Sequence, residues 1–420
     1  MIQILDHTKT WVLTSIAFGL LLAIRSIPAA HEYLGFVVIW LLLFEILSFI
    51  TSDRENSHLI LDMLFILTAF GIAVQCLMNQ EGLLSTSLKD RQFLYPAALV
   101  TGTIASRILR TVIIKLPVRT AEIVWFVLHN ALLGFICING EWESGTLKHI
   151  VLGNTPIQIT VLTKLTAVLF MAAVMKDKTL KENVKIYITA GFTLLNAVWF
   201  VYMKELGTFM IIAVLHLIMI AGFIRPVCRL KRKYILFLGF SMAAGVLFIT
   251  AVIPLIGVQS AFFEKIQVRL AGVYDPSLLD PSDAGYSVNA ARKSILIGGT
   301  FGSSLNHHIP EANTDLAFSY VFLRFGVVIS LLIMLLYCGF LCSMLISSSN
   351  KTPAESTYAY GMAAVLSVQT FYNIAMCLGI LPICGINLTF ISAGTMDLLT
   401  GLIMTIYVII SKGRRREHHV

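Results

Sequence analysis

Polar residues in this chain come in short bursts between long apolar runs, and the spacing of the bursts sets the elements. Runs of roughly 20 mostly apolar residues can cross a bilayer as a helix. They stand near 10–29, 34–51, 58–78, 92–108, 121–138, 157–175, 184–203, 206–224, 234–257, 314–346, 359–381 and 389–411. The pattern predicts an all-α polytopic membrane protein, a helical bundle of about twelve transmembrane helices. Two connectors are longer than a turn requires, 139–156 and 258–313, and the second is rich in Pro, Gly, Asp and Ser. Connectors of that length without structure of their own are rarely idle.

Charge decides the orientation. Arg107, Arg110, Lys115 and Arg119 follow the fourth run, and Lys176, Lys178, Lys181 and Lys185 the sixth. Arg225, Arg229, Lys231, Arg232 and Lys233 follow the eighth, and Lys412, Arg414, Arg415 and Arg416 the last. With twelve runs all four clusters fall on one side, which the positive-inside rule makes cytoplasmic. Both termini then lie inside and both long connectors face out. The segment KDKTLKENVK reads as a short basic helix or loop on the inner leaflet. The first run lacks a small-residue cleavage site before a soluble domain and reads as a retained span.

Composition agrees: 57% of the 420 residues are hydrophobic and 13% charged, and the mean hydropathy is +0.83. The net charge of +8 sits in connectors between runs, so it reads as topology and predicts no nucleic-acid partner. The seven cysteines form no CxxC pair and are odd in number, which argues against a disulfide framework or a metal cluster.

The candidate chemistry starts at PEANTD, residues 310–315, where two carboxylates stand at the mouth of a membrane-length apolar run. Asp315 reads either as a helix N-cap, with Asn313 and Thr314, or as a working acid. Lys164 lies about two turns into the sixth run, roughly 10 Å deep. A charge there faces a polar cavity or a partner, or snorkels. On spacing alone Arg269 and the pairs Asp275-Pro276 and Asp280-Pro281 are turn residues of a solvated loop. His307 and His308 have no third ligand at suitable spacing and read as polar loop. The other ionisable residues inside apolar runs are Arg25, Glu45, Asp62, His129, His216, Arg324 and Asp397. Pairing of Arg25 with Glu45 and Asp62, or an ion path through them, and mutual compensation of Arg324 and Asp397 are the readings that charge alone offers.

Four segments in order carry a family resemblance. The first is GTLKHIVLGNTPIQITVLTKL, with Lys148, Ile150, Gly153, Gln158, Thr160 and Lys164; the second is KELGTFMII, with Glu205, Gly207 and Thr208. The third runs from Arg269 through Asp275-Pro276, Asp280-Pro281, Gly285-Tyr286 and Gly298-Gly299 to Pro310-Glu311 and Thr314-Asp315. The fourth is YNIAMCLGILPICGINLTFISAGTMDLL, with Asn373, Gly379, Leu381-Pro382, Gly385, Phe390-Ile391-Ser392 and Gly394. Together they resemble the SEDS family (shape, elongation, division and sporulation), which includes RodA, FtsW and SpoVE. The chain departs from the family pattern at His149 (family Trp), Val161 (family Glu), Asn313 (family His), and Asn387 and Thr389 (family Pro). It departs again at 393–397, where the family has Tyr-Gly-Gly-Ser-Ser.

The resemblance spans about 121–411 and implies a ten-helix core. The chain then divides into an N-terminal transmembrane region, 1–120, with two extra spans, a core at 121–411 holding the outer loop 258–313, and a basic tail at 412–420. It implies polymerisation of lipid II, the undecaprenyl-pyrophosphate-linked disaccharide-peptide, at the outer face of the membrane, beside a class B penicillin-binding protein. On the same ground Asp315 is the catalytic carboxylate and Lys164 its partner. Lys148, Arg269, Arg292, Glu311 and Gln158 are candidates for substrate binding, with Lys293 a further cation on that side. Gly207, Thr208, Gly285, Tyr286, Asn373, Pro382 and Ser392 are structural motif positions. No covalently bound cofactor and no resident metal site is expected; a divalent cation is one source of positive charge for the leaving pyrophosphate. Two other readings stay open: a transporter of lipid-linked precursors, and a non-catalytic scaffold for a penicillin-binding protein.

Overall fold

In the computed structural model, residues 2–51, 57–84, 88–143, 145–152, 155–224, 269, 271–273 and 284–414 are described. The expected span at 234–257, the Asp-Pro pairs and the whole basic cluster after the eighth run lie outside them. The helices are α1 (Ile2–Arg25), α2 (Ile27–Thr51), α3 (Ser57–Gln80), α4 (Leu88–Lys115), α5 (Val118–Asn139), α6 (Thr160–Lys176), α7 (Glu182–Tyr202), α8 (Leu206–Ile224), α9 (Ala284–Gly298), α10 (Ala317–Ser349), α11 (Ser356–Cys377) and α12 (Thr395–Ile410). Strands β1 (Glu141–Glu143), β2 (Thr146–Leu152) and β3 (Thr155–Gln158) fold between α5 and α6.

Seven of the described helices are long and apolar enough to cross a membrane: α1 to α5, α7 and α10. The others expected as spans, α6, α8, α11 and α12, are shorter or more polar. α6 and α12 bury nearly every residue against neighbouring helices, and α11 buries most of its length. A helix enclosed by helices need not satisfy lipid, so it tolerates polar side chains that find partners inside the bundle. Exposed apolar side chains that can face lipid stand on the long helices, among them Leu20 and Ile24 on α1, Phe49 on α2, Ile123 on α5, Leu194 on α7 and Leu335 on α10.

Four boundaries differ from the sequence reading, each for a physical reason. α1 starts well before residue 10 because its polar first turns find acids on neighbouring helices. His7 Nδ1 lies 2.8 Å from Asp62, the Trp11 indole N–H donates to Asp62 (2.8 Å), and Thr8 donates to Glu45 (2.5 Å). Asp62 and Glu45 thus pair with residues of α1 other than Arg25, which instead donates to the Phe301 carbonyl. The connector 139–156 is largely a three-stranded antiparallel sheet in the order β1-β2-β3, with Trp142 opposite Leu147 and His149 opposite Gln158. Within 258–313, residues 284–298 form α9, packed on α10.

The fourth difference matters most for the site. Residues 389–394, expected as the start of the last span, are not helical; α12 begins at Thr395. Segment 384–394 runs through the protein interior as irregular chain, with Ile386, Leu388, Thr389, Phe390 and Ile391 all buried. Non-helical backbone in a bilayer-spanning protein must be satisfied by protein groups, and here it is. Gln369 donates to the Asn387 carbonyl (3.0 Å), Asn373 to Ile386 (2.6 Å), Gln75 to Ile391 (3.0 Å) and Tyr337 to Thr389. A Cβ on Gly71 of α3 would stand 1.9 Å from the Phe390 carbonyl oxygen, and one on Gly207 of α8 would stand 2.1 Å from that of Cys384. Glycine at both positions lets the helices approach this backbone directly.

Candidate active site

The PEANTD segment folds into a tight turn over this interior segment. Glu311 takes the left-handed conformation (φ 49°), and its carbonyl accepts from the Thr314 and Leu316 amides at 3.1 and 3.0 Å. The Thr314 hydroxyl donates to the exposed Glu311 carboxylate (2.8 Å). α10 starts only at Ala317, and its N-cap, Leu316, makes no side-chain cap bond. Asp315 is therefore not the helix cap.

Three bonds fasten the turn from below. Ser392 Oγ donates to the Thr314 carbonyl (2.6 Å), the Ala393 amide to that of Asn313 (2.7 Å), and Asn373 Nδ2 to that of Asp315 (2.8 Å). Ser392 Oγ also accepts from the Leu388 amide (2.9 Å), and Asn373 is wholly buried. Asn373 and Ser392, expected as structural motif positions, fix the Asp315 backbone. Among the described residues Asp315 is held through its carbonyl and none donates to its carboxylate. A Cβ on Gly385 would lie 3.7 Å from Asp315 Oδ2, so a glycine with φ 59° keeps the space beside it open.

The half-buried Asp315 carboxyl is pushed up to about 6. Burial is the main cause, the charges of Glu311 and Asp397 add to it, and Lys148 and Arg269 oppose it. Lys148 is carried on β2, which docks by a bond from the Leu147 amide to the Met203 carbonyl (2.9 Å) at the α7–α8 turn. There Glu205 is buried and accepts from Thr208 (2.5 Å) and Thr160 (3.2 Å). Burial raises its pKa against the opposing bond from Thr208 and the charges of Lys148 and Lys164. Arg269 lies against Cys384, and the Tyr372 hydroxyl donates to the Pro382 carbonyl (3.1 Å) and lies 3.3 Å from Cys384 Sγ.

Lys164 is not paired with Asp315. Its Nζ stands 3.3 Å from Asp397 Oδ1 on α12 and donates to Gln369 Oε1 on α11 (3.0 Å), all three residues being buried. The reason is packing: α11 and α12 lie against α6 and present those groups to it. Gln369 and Asn373 are four residues apart on α11, so the Lys164 pair sits about 6 Å, one turn, from the level at which Asn373 holds Asp315. Nor do Arg324 and Asp397 compensate each other: Arg324 Nε lies 2.8 Å from Glu81 and its Nη1 donates to the Leu305 carbonyl (2.9 Å). Arg292, expected to bind substrate, donates from Nη2 to the carbonyls of Val273 and Gly379 (2.9 Å each), tying α9 to the end of α11. Gln158 is half-buried on β3, and Gly285 and Tyr286 open α9 with the Tyr286 ring 6.4 Å from that of His308. No described bond joins these three to Asp315. Gln369 escaped the sequence reading, although an amide amid AAVLSVQTF is the signal of a buried polar partner. Among the described residues no three His, Cys, Asp or Glu side chains gather to hold a metal ion.

Fold and site together define a multi-pass helical membrane protein in which the turn carrying Asp315 is fastened to a buried irregular segment between α11 and α12. The chain belongs to the FtsW/RodA/SpoVE family of cell cycle proteins, whose model matches residues 57–416. A probable peptidoglycan glycosyltransferase FtsW of Enterococcus hirae is 31% identical over 167 residues, 37% of this chain and 41% of the relative. One from Coxiella burnetii is 25% identical over 347 residues, 75% of this chain and 86% of the relative. Among solved structures, a chain of a peptidoglycan synthase complex superposes with a TM-score of 0.63 at 20% identity, covering 83% of this chain and 96% of that one. The rod shape determining protein RodA of Thermus thermophilus gives 0.55 at 17% identity, covering 83% and 94%. At those identities the structures establish the shared fold.

Proposed function

We propose that the chain is a peptidoglycan glycosyltransferase that polymerises lipid II at the outer face of the bacterial cytoplasmic membrane, beside a class B penicillin-binding protein. The observation that carries this reading is the Asp315 carboxyl, held by its backbone carbonyl, without a described donor on its oxygens, and pushed up to about 6 by burial. In the reaction a sugar hydroxyl of one chain forms a bond to the anomeric carbon of another. The bond from that carbon to the lipid pyrophosphate breaks, and the hydroxyl proton goes to the base. A carboxylate of pKa about 6 is ionised at neutral pH and still basic enough to take it. The departing pyrophosphate needs positive charge, which Lys148 and Arg269 supply from the protein. The curated relatives bear the same activity in their names, and the positive-inside reading of the basic connectors supports an outward-facing mouth of α10.

The test is polymerisation of lipid II by the purified protein, alone and with its penicillin-binding partner, read as glycan strands on a gel. Strands from the parent and none from Asp315→Ala, with both equally monodisperse, is the expected result. Lipid II scrambling across liposomes that survives Asp315→Ala, without polymer, overturns it in favour of a transporter. No polymer from the parent even in the complex overturns it in favour of a scaffold.

A further inference from the structure

Three of the positions at which this chain departs from its family meet in one place. The acid that the family carries at 161 is valine here, and Val161 is buried one turn from Lys164 on α6. Lys164 takes its counter-charge instead from Asp397 on α12, where the family has a small residue. Asp397 Oδ2 also accepts from Asn387 Nδ2 (2.6 Å), at a position where the family has proline. Gln369 closes the network: its Nε2 donates to Asp397 Oδ1 and to the Asn387 carbonyl, both at 3.0 Å. Gly394 fits beside it, since a Cβ there would press on Asn387 Nδ2 at 2.8 Å and Asp397 Oδ2 at 3.2 Å. In this structure the groups satisfy one another: each would be costly alone, because an unpaired buried charge or amide is unfavourable.

We propose that Asp397 is a positioning residue of the active site, acting as the counter-ion of Lys164. From α12 it holds the Lys164 ammonium and, through Asn387 and Gln369, the 384–394 segment to which the Asp315 turn is fastened. The path is continuous: Asp397 to Asn387, Asn387 along the chain to Ser392 and Ala393, and from these to the carbonyls of Thr314 and Asn313. The negative charge of Asp397 also acts on the carboxyl of Asp315, alongside Glu311, Lys148 and Arg269, with Cys377, Cys384 and Tyr372 packed nearby.

This inference rests on the polymerase reading, so the experiment has an activity arm and an independent one. In the activity arm, Asp397→Asn lowers kcat for lipid II polymerisation at least about tenfold with little change in KM. It also moves the acid limb of the pH profile to lower pH, because a like charge has been removed from beside Asp315. Returning the acid to α6 in Val161→Glu/Asp397→Ser, where it reaches Lys164 at i,i+3 spacing, recovers most of the rate lost in Asp397→Ser alone. In the independent arm, thermal unfolding in detergent is followed for Lys164→Met, Asp397→Leu and the double variant. Each single change lowers the melting temperature by several degrees and the double variant regains it, while polymerisation stays lost. An unmoved acid limb with activity within twofold of the parent, or additive losses of melting temperature, overturns the proposal. A parent without polymerase activity overturns the functional reading and leaves the ion pair to be judged by the melting series.

Discussion

At neutral pH the Asp315 carboxyl carries a charge that its surroundings disfavour, since its pKa of about 6 lies above the ordinary carboxylate range. A carboxyl raised on folding contributes its stability below the unfolded pKa, near 4, and loses it as pH rises through about 6. Asp315→Asn is therefore inactive yet melts higher than the parent at pH 7.5, and the difference closes as pH falls toward 4.5. Parent activity follows the ionised form and falls roughly tenfold per pH unit below about 6. Lys148 pulls that limb down, so Lys148→Met shifts it to higher pH, opposite in sign to Asp397→Asn; both are read from rate against pH. Single residues were legible in the sequence where their chemistry is local. Asp315, Asn373, Ser392 and Gly207, singled out by their motifs, come together around segment 384–394. The pairings were not legible, because which acid meets Lys164, Arg324 or His7 is decided by helices packed from far along the chain.

At the scale of elements, the run behind α10 looks like one uninterrupted helix, and the structure breaks it at Gly326 (φ 79°, ψ 177°). The loop after α9 takes over the lost bonds: the Val327 amide donates to Gly299 (2.9 Å), Val328 to Thr300 (3.2 Å), and Ser303 to Leu323 (2.8 Å). Only glycine tolerates that conformation readily, and a Cβ there would stand 2.3 Å from the Gly302 nitrogen. Gly326→Ala should lower the melting temperature in detergent and reduce the yield of folded protein. Gly207→Ala presses on the Cys384 carbonyl and should cost about 1–3 kcal/mol of stability, with polymerisation lost as the Asp315 mount shifts. A proteolysis-protected yield and the polymer gel separate the two effects. Periodicity found the helices but not these breaks, since the groups that replace the helical bonds are supplied by other segments. Phe390 is a parallel case. It is held at φ 77° with its carbonyl against Gly71 and its ring edge-on to Phe340 at 5.8 Å, in a stretch that by composition reads as span.

For the molecule as a whole, the family match starting at 57 leaves α1 and α2 outside it, yet they are joined tightly to α3. Trp11 stacks on Phe65 (5.2 Å) and bonds Asp62, and the buried Trp40 donates to Thr68 (2.9 Å). We therefore propose the two helices as an addition to the core that the core has come to need. A chain beginning at Ser57 should fail to yield monodisperse protein by size-exclusion chromatography, whereas Asp62→Asn, which keeps one acceptor for Trp11, should yield it with a lowered melting temperature. The length and spacing of the apolar runs made the membrane class legible at once. The depth of each helix within the bundle was not, because enclosure depends on the neighbours. The bracing of segment 384–394 by α3, α8, α10 and α11 leads further. Under the proposed polymerase function the product must shift by one disaccharide after every addition, and a carboxylate mounted on so many fixed points does not travel with it. The growing glycan has to slide past a stationary base, so each cycle's translocation belongs to the sugar strand and its grip on the outer surface.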